Sequence, residues 1–116
     1  MAYPRKLRWH DKVYHATLDD ISTSSNVSIP IMGDGEMIAW GVTLSATVSG
    51  TAAVTVEIDG TADSDAADNL VALNLKTPQI KDCSVQLTSG QNLEFITDGG
   101  SSTTSIANFV IVVRET

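Results

Sequence analysis

The feature that most constrains this chain is a regular alternation of apolar and polar residues between positions 40 and 60. Residues 42–48 alternate Val, Leu, Ala and Val with Thr and Ser, and residues 52–58 continue the alternation after a glycine-containing break. A period of two is typical of β-strands, because successive side chains point to opposite faces. The two runs therefore predict an antiparallel hairpin, whose apolar face needs a second layer to cover it.

Further short strands follow from the rest of the sequence. Apolar residues alternate again in several runs between residues 27 and 95, separated by turns rich in Gly, Asp and Ser. Pro30 lacks an amide donor, which predicts an edge strand. Residues 106–113 are apolar at both odd and even positions, which predicts a central strand covered on both faces. About eight strands and no helical periodicity predict an all-β fold, a single antiparallel β-sandwich that is jelly-roll or Greek-key-like.

The segment 60–69, GTADSDAADN, predicts the longest loop, and that loop is acidic. Asp59, Asp63, Asp65 and Asp68 offer the hard oxygen ligands that calcium prefers, but their spacing is not that of an EF-hand. We therefore expect a solvated loop and no metal site. The alternative is a cation shared by copies of the loop around a symmetry axis.

Residues 1–15 differ from the rest of the chain, since they combine half of the aromatic residues with four of the seven basic ones. This composition predicts an extended N-terminal arm that docks on its own domain or on a neighbour. A first strand that closes a sheet is the equal alternative, ahead of a sandwich domain over residues 16–116. The candidate partner-binding residues are Tyr3, Arg5, Lys6, Arg8, Trp9, Lys12 and Tyr14.

Charge is unevenly spread along the chain. The net charge is −7, yet four basic residues and Asp11 give the first twelve residues about +3, which leaves about −10 for the remainder. An acidic body opposes general nucleic-acid binding, because phosphate neutralisation requires a cationic surface. The sequence shows no apolar run long enough for a signal or a membrane span. We expect neither nucleic acid nor a membrane as a partner.

Residues that could carry catalysis do not form a recognisable constellation. Cys83 is the only cysteine, so no intramolecular disulfide is possible, and its context predicts a small buried strand residue. His10 and His15 are five apart, a spacing that suits a metal pair neither on a strand nor on a helix. Asp34 and Glu36 flank a turn, whereas a glycosidase pair must face across a cleft. We expect a non-enzymatic protein without a cofactor.

Two stretches resemble the small β-sandwich virion proteins of tailed bacteriophages: GVTLSATVSGTAAVTVEIDGT, and LTSGQNLEFITDGGSSTTSIANFVIVVRE. The shared features are a G-x-x-L-S/T-x-x-V hairpin, a strand that opens S/A-G-x-x-L/I-x-F/V, and a Gly-Gly-Ser loop before a Val-rich last strand. The resemblance covers roughly residues 27–115. It implies a capsid decoration (cement) protein, or a head-fibre or spike component, with no catalytic residues to transfer.

This resemblance implies a structural protein on the capsid exterior of the virion, made in the host cytoplasm. We expect a homo-oligomer, with a trimer favoured, in which residues 1–15 are the principal contact with the major capsid protein. Aromatic residues and Arg are the usual interface anchors, and an acidic capsid surface would attract the basic N-terminus.

Two other functions compete with decoration. One is a receptor- or carbohydrate-binding module of a head fibre, spike or tail appendage. Sugar sites usually expose an aromatic platform, but the strand positions of Trp40, Phe95 and Phe109 predict core packing instead. The other is a major capsid protein with a single jelly roll, which ranks lower because the chain is short.

Overall fold

The structure is a computed structural model that describes residues 11–46, 51–71, 79–100 and 103–115. Eight β-strands form these segments. In chain order they are β1 (Lys12–Leu18), β2 (Ser25–Pro30), β3 (Gly35–Leu44), β4 (Thr51–Ile58), β5 (Thr61–Val71), β6 (Gln79–Leu87), β7 (Asn92–Thr97) and β8 (Ala107–Arg114).

The strands form two antiparallel sheets of four strands each. The first sheet has the order β1-β8-β3-β6, and the second has the order β2-β7-β4-β5. Among the described strands, β4 and β5 are the one consecutive pair bonded to each other, because every other consecutive pair is divided between the sheets. Two sheets of four strands connected in this way make a jelly-roll sandwich. The predicted fold class and strand number are confirmed.

The predicted hairpin between residues 42–48 and 52–58 is wrong. β3 pairs with β6 and β8, whereas β4 pairs with β5 and β7 in the other sheet. Val42 and Val54 nevertheless belong to one buried core cluster. The alternating pattern indicates which face of each strand is apolar. It does not indicate whether two such strands are neighbours in one sheet or lie in two sheets that pack face to face.

The predicted acidic loop is also wrong, because its residues form β5. Asp59 and Gly60 have φ values of 50° and 85° and make a two-residue turn that pairs Ile58 with Thr61. Positive φ at both central residues is the geometry of a type I′ hairpin, for which Asp-Gly is a preferred sequence. Charged residues suit β5 because it lies at a sheet edge, where charge discourages pairing with other chains.

Two other sequence-based expectations concern strand position. β2 ends at Pro30 and is an edge strand, as predicted from the proline. β8 is central, between β1 and β3, as predicted. Its inner face is buried, but Val110 and Val112 on the opposite face are only half-buried. The expectation that both faces are fully covered is therefore wrong.

Three aromatic side chains fill the centre of the sandwich. The ring of Trp40 lies 5.2 Å from that of Phe95 and 5.8 Å from that of Phe109, and the two phenyl rings are 4.7 Å apart. All three side chains are essentially fully buried. Offset and edge-on aromatic pairs add about 0.5–1.5 kcal/mol each beyond the burial of their area.

A buried hydrogen bond connects the two layers inside this cluster. Nε1 of Trp40, on β3 of the first sheet, donates to the carbonyl oxygen of Ala66, on β5 of the second sheet, at 2.7 Å. The pairing of β5 with β4 is irregular at one place. Val54 pairs with Asp68 but Val56 pairs with Asp63, so β5 has extra residues between these two pairs. This irregular stretch contains Ala66 and places it in the core, so the indole can reach its carbonyl.

Replacing Trp40 by Phe tests this bond together with the packing of the larger indole ring. W40F keeps an aromatic ring in the cluster but leaves the Ala66 carbonyl without its partner, so the free energy of unfolding should fall by about 1–3 kcal/mol. Urea denaturation followed by circular dichroism measures this. Met32→Leu, at an exposed position, is the control and should change little. Unchanged stability of W40F would contradict the role assigned to the bond.

Candidate functional site

The structure describes two of the seven predicted partner-binding residues. Tyr3, Arg5, Lys6, Arg8 and Trp9 lie outside the described residues, as does His10. Lys12 and Tyr14 lie on β1, which pairs with β8 and crosses the boundary expected at residue 15. Residues 12–15 thus belong to a first strand at the edge of a sheet.

Lys12 and Tyr14 have different surroundings on β1. Nζ of Lys12 lies 3.2 Å from Oε1 of Glu115, and both side chains remain substantially exposed. Tyr14 is half-buried and packs against the core cluster. Lys12 is therefore an exposed, ion-paired residue, while Tyr14 mainly attaches β1 to the sandwich.

An ion pair holds the start of β1 against the end of β8. Nε and Nη2 of Arg114 donate to the two carboxylate oxygens of Asp11 at 3.1 and 3.0 Å. The Asp11 side chain is only 1% exposed, and its hydrogen bond to the guanidinium raises the pKa of Arg114. This two-pronged geometry fixes direction as well as distance, so the start of β1 is held against the end of β8.

The outer face of the first sheet carries an apolar band. Because side chains alternate along each strand, the pairing places Val13, Val112, Ala39 and Asp82 in one row across β1, β8, β3 and β6. The adjacent row contains His15, Val110, Gly41 and Ile80. Aliphatic side chains therefore run across the sheet on the side that faces away from the core.

Part of this band is open to solvent. Val13 is 43% exposed and Ile80 is 50% exposed, and they are two of the four large hydrophobic residues exposed in the described part of the chain. The sequence indicates this band, because residues 106–113 are apolar at both odd and even positions. That signal indicated burial on two faces, whereas the structure leaves one face partly open.

The outer face of the second sheet is polar by contrast. Glu57 lies directly opposite Glu94 on the neighbouring strand, and Glu94 lies opposite Ser28. Like charges facing each other across strands are unfavourable, and both glutamates remain partly exposed, so water can screen their repulsion. The outer faces of the two sheets therefore differ in chemical character.

The aspartates that had suggested a calcium loop have structural roles. Oδ2 of Asp65 accepts a hydrogen bond from the backbone amide of Ser84 on β6 at 2.8 Å. Oδ1 of Asp63 accepts one from the amide of Asp65 at 3.0 Å, and Oδ1 of Asp59 accepts one from the amide of Asn92 at 2.9 Å. The side chain of Asp68 lies outside the described part. Within that part, no three His, Cys, Asp or Glu residues are grouped to hold a metal.

Other residues considered for chemistry are dispersed. Asp34 accepts a hydrogen bond from the amide of Ser89 at 2.8 Å, and Glu36 accepts one from the hydroxyl of Ser84. His15 is exposed on the outer face of the first sheet. Cys83 is buried, as predicted, and burial, with a smaller contribution from Asp65, raises the pKa of its thiol to about 12.

The described segments contain no helix of the length and apolar character that a membrane crossing requires. No protein-family model and no curated protein sequence matches the chain.

Comparison with solved structures identifies the fold. A chain of the acidic stable capsid structure of Helicobacter pylori bacteriophage KHP30 aligns with a TM-score of 0.60 at 11% identity, covering 91% of this chain and 89% of that one. The carbohydrate-binding module CBM36, solved with calcium and xylotriose, aligns with a TM-score of 0.53 at 15% identity over 89% and 93% of the two chains. Both likenesses extend over nearly the whole of each chain, so they concern the entire sandwich.

The Cys83 thiol should be inert in the native protein. At pH 8 its raised pKa lowers the reactive thiolate population about a thousandfold relative to an ordinary thiol, and burial excludes the reagent. Ellman's reagent should therefore label Cys83 only after denaturation. Ser84→Cys places a thiol at the exposed neighbouring position and should react in the folded state. Rapid labelling of the native wild-type protein would show that this strand opens.

Proposed function

We propose that this protein is a non-enzymatic structural component of a phage virion, a decoration protein on the exterior of the head. The observation that carries the proposal is the near-complete correspondence of its jelly roll with a chain of a phage capsid, at 91% and 89% coverage. That likeness concerns the fold. The surfaces supply the rest of the argument.

The body has the properties that repeated, permanent contacts require. Two four-stranded sheets enclose one core, and the hydrogen bond from Trp40 to Ala66 joins the layers. The candidate carboxylates of the described part are occupied in turns and at strand edges. Such a body offers faces for attachment, in keeping with a binding role.

In this proposal the N-terminal segment provides the contact with the major capsid protein. Tyr3, Arg5, Lys6, Arg8 and Trp9 combine large aromatic groups with positive charge, and Lys12 adds an exposed ammonium group where the segment joins β1. Tyr14 supports this contact indirectly, since it packs against the core. A cationic segment on an otherwise acidic protein would bind an acidic capsid surface and hold the acidic body away from it.

A carbohydrate-binding role is the second candidate, favoured by the likeness to CBM36. The surface argues against it. Trp40, Phe95 and Phe109, the aromatic residues considered for a sugar platform, are buried in the core. The described residues also contain no cluster of three or more His, Cys, Asp or Glu residues that could hold a metal ion. Titration with xylotriose in the presence of calcium should give no binding, and saturable binding would favour this candidate.

Charge reversal in the N-terminal segment tests the decoration proposal. Lys6→Glu and Arg8→Glu should each weaken binding to capsids assembled from the major capsid protein of the same phage by about tenfold, the effect of losing an attraction of about 1.4 kcal/mol. Co-sedimentation measures the bound fraction. Lys76→Glu makes the same charge change elsewhere and should bind like the wild type. Equal binding by all three variants, or no binding by the wild type, would refute the proposal.

The purified protein should be a trimer in solution. Light scattering should give three times the mass of the 12.3 kDa chain, and the mass should be unchanged by a calcium chelator because the aspartates already serve as internal acceptors. Dissociation by the chelator would instead indicate a cation shared between copies. A monomer would contradict the trimer and leave the capsid itself to organise the copies.

A further inference from the structure

The composition of β6 does not protect this edge strand from pairing with another chain. It is nine residues long and ends the first sheet on one side. It contains one Lys and one Asp, so its formal charge is zero, and its Ile80 is 50% exposed. A long edge strand with exposed apolar groups and low net charge is a template for the pairing of further strands.

A side chain from the other sheet occupies this edge. Oδ2 of Asp65 on β5 accepts a hydrogen bond from the backbone amide of Ser84 on β6 at 2.8 Å. The amide is thus used outside the ladder of hydrogen bonds that joins β6 to β3. Because Ser84 is exposed, the same amide would be accessible to a partner strand if the Asp65 carboxylate were removed.

The pairing of β6 with β3 explains why this amide is available. Two residues of β6, Cys83 and Ser84, lie opposite one residue of β3, Ile38. This is a β-bulge, which leaves an extra residue unpaired and disrupts the ladder locally. The hydroxyl of Ser84 donates to Glu36 on β3. Both donors of Ser84 therefore have carboxylate acceptors, one from each sheet.

The local structure of β5 holds Asp65 in the position that this contact requires. Asp65 lies among the extra residues 64–67 of β5. Its amide donates to Oδ1 of Asp63 at 3.0 Å, and the carbonyl oxygen of the next residue, Ala66, accepts from the Trp40 indole at 2.7 Å. Asp65 is therefore fixed on both sides along the chain, and its carboxylate reaches β6 from an anchored backbone.

The contact closes one lateral side of the sandwich. β5 and β6 are edge strands of different sheets and lie beside each other. β5 is acidic and irregular in register, and both features discourage pairing with other chains. Asp65 extends this protection to β6, because a strand that approaches β6 in the plane of the first sheet must displace a charged carboxylate from the Ser84 amide.

We propose that the hydrogen bond between Asp65 and Ser84 is an autoinhibitory contact that prevents β6 from pairing with β6 of a second copy of this chain. The second copy is the partner because two β6 strands can pair antiparallel about a twofold axis, and such an isologous contact requires no other surface. Loss of the bond leaves the amide free on a strand that already exposes Ile80. This role concerns the free protein and is independent of the proposed attachment to a phage head.

Asp65→Ala and Asp65→Asn in the full-length protein test this proposal as a matched pair. Both remove one negative charge, but only D65N keeps an oxygen that can accept from the Ser84 amide. At equal concentration, D65A should raise the mass measured by light scattering about twofold or more above that of the wild type, whereas D65N should keep the wild-type mass. Circular dichroism verifies that both variants are folded. If D65A does not fold, Asp65→Ser, whose oxygen is one bond closer to the backbone, replaces it.

A proline at position 84 separates strand pairing from general destabilisation. Proline is tolerated in edge strands and at bulges and has no amide to donate, so Ser84→Pro in the D65A background should restore the wild-type mass. An increase in mass that S84P does not reverse would come from unfolded chains and would overturn the proposal. An unchanged mass of D65A, or an equal increase in D65N, would overturn it as well.

Discussion

The hydrogen bond from the Trp40 indole to the Ala66 carbonyl is the contact on which this sandwich depends. It joins a central strand of one sheet to an edge strand of the other, in a core where neither group has water as a substitute partner. Phe95 and Phe109 pack against the indole. Trp40, Phe95 and Phe109 are therefore committed to the interior, and the described outer surfaces of the sheets rely mainly on aliphatic and charged groups.

The jelly-roll connectivity then determines which surfaces are available. Because nearly every consecutive pair of strands is divided between the sheets, each sheet is assembled from distant parts of the chain. The outer face of the first sheet collects aliphatic residues such as Val13 and Ile80, while the second collects Glu57 and Glu94. One face suits an apolar or cationic segment, and the other suits water.

Both ends of the described chain meet at one end of the first sheet. Arg114 binds Asp11 through two hydrogen bonds, and Glu115 pairs with Lys12. The start of β1 is therefore attached to the end of β8 beside the apolar outer face.

The sequence by itself determined the fold class, the approximate number of strands, the edge position of the strand that ends at Pro30 and the burial of Trp40. These properties follow from local patterns, since a period of two and a missing amide act within a few residues. Only the tertiary structure decided that Val42 and Val54 enter one core from opposite sheets, and that the acidic residues after Gly60 form an edge strand. Alternation states which side of a strand is apolar but not which strand lies beside it. Pairing, and with it the apolar band on the outer face, arises from contacts between residues far apart in the chain.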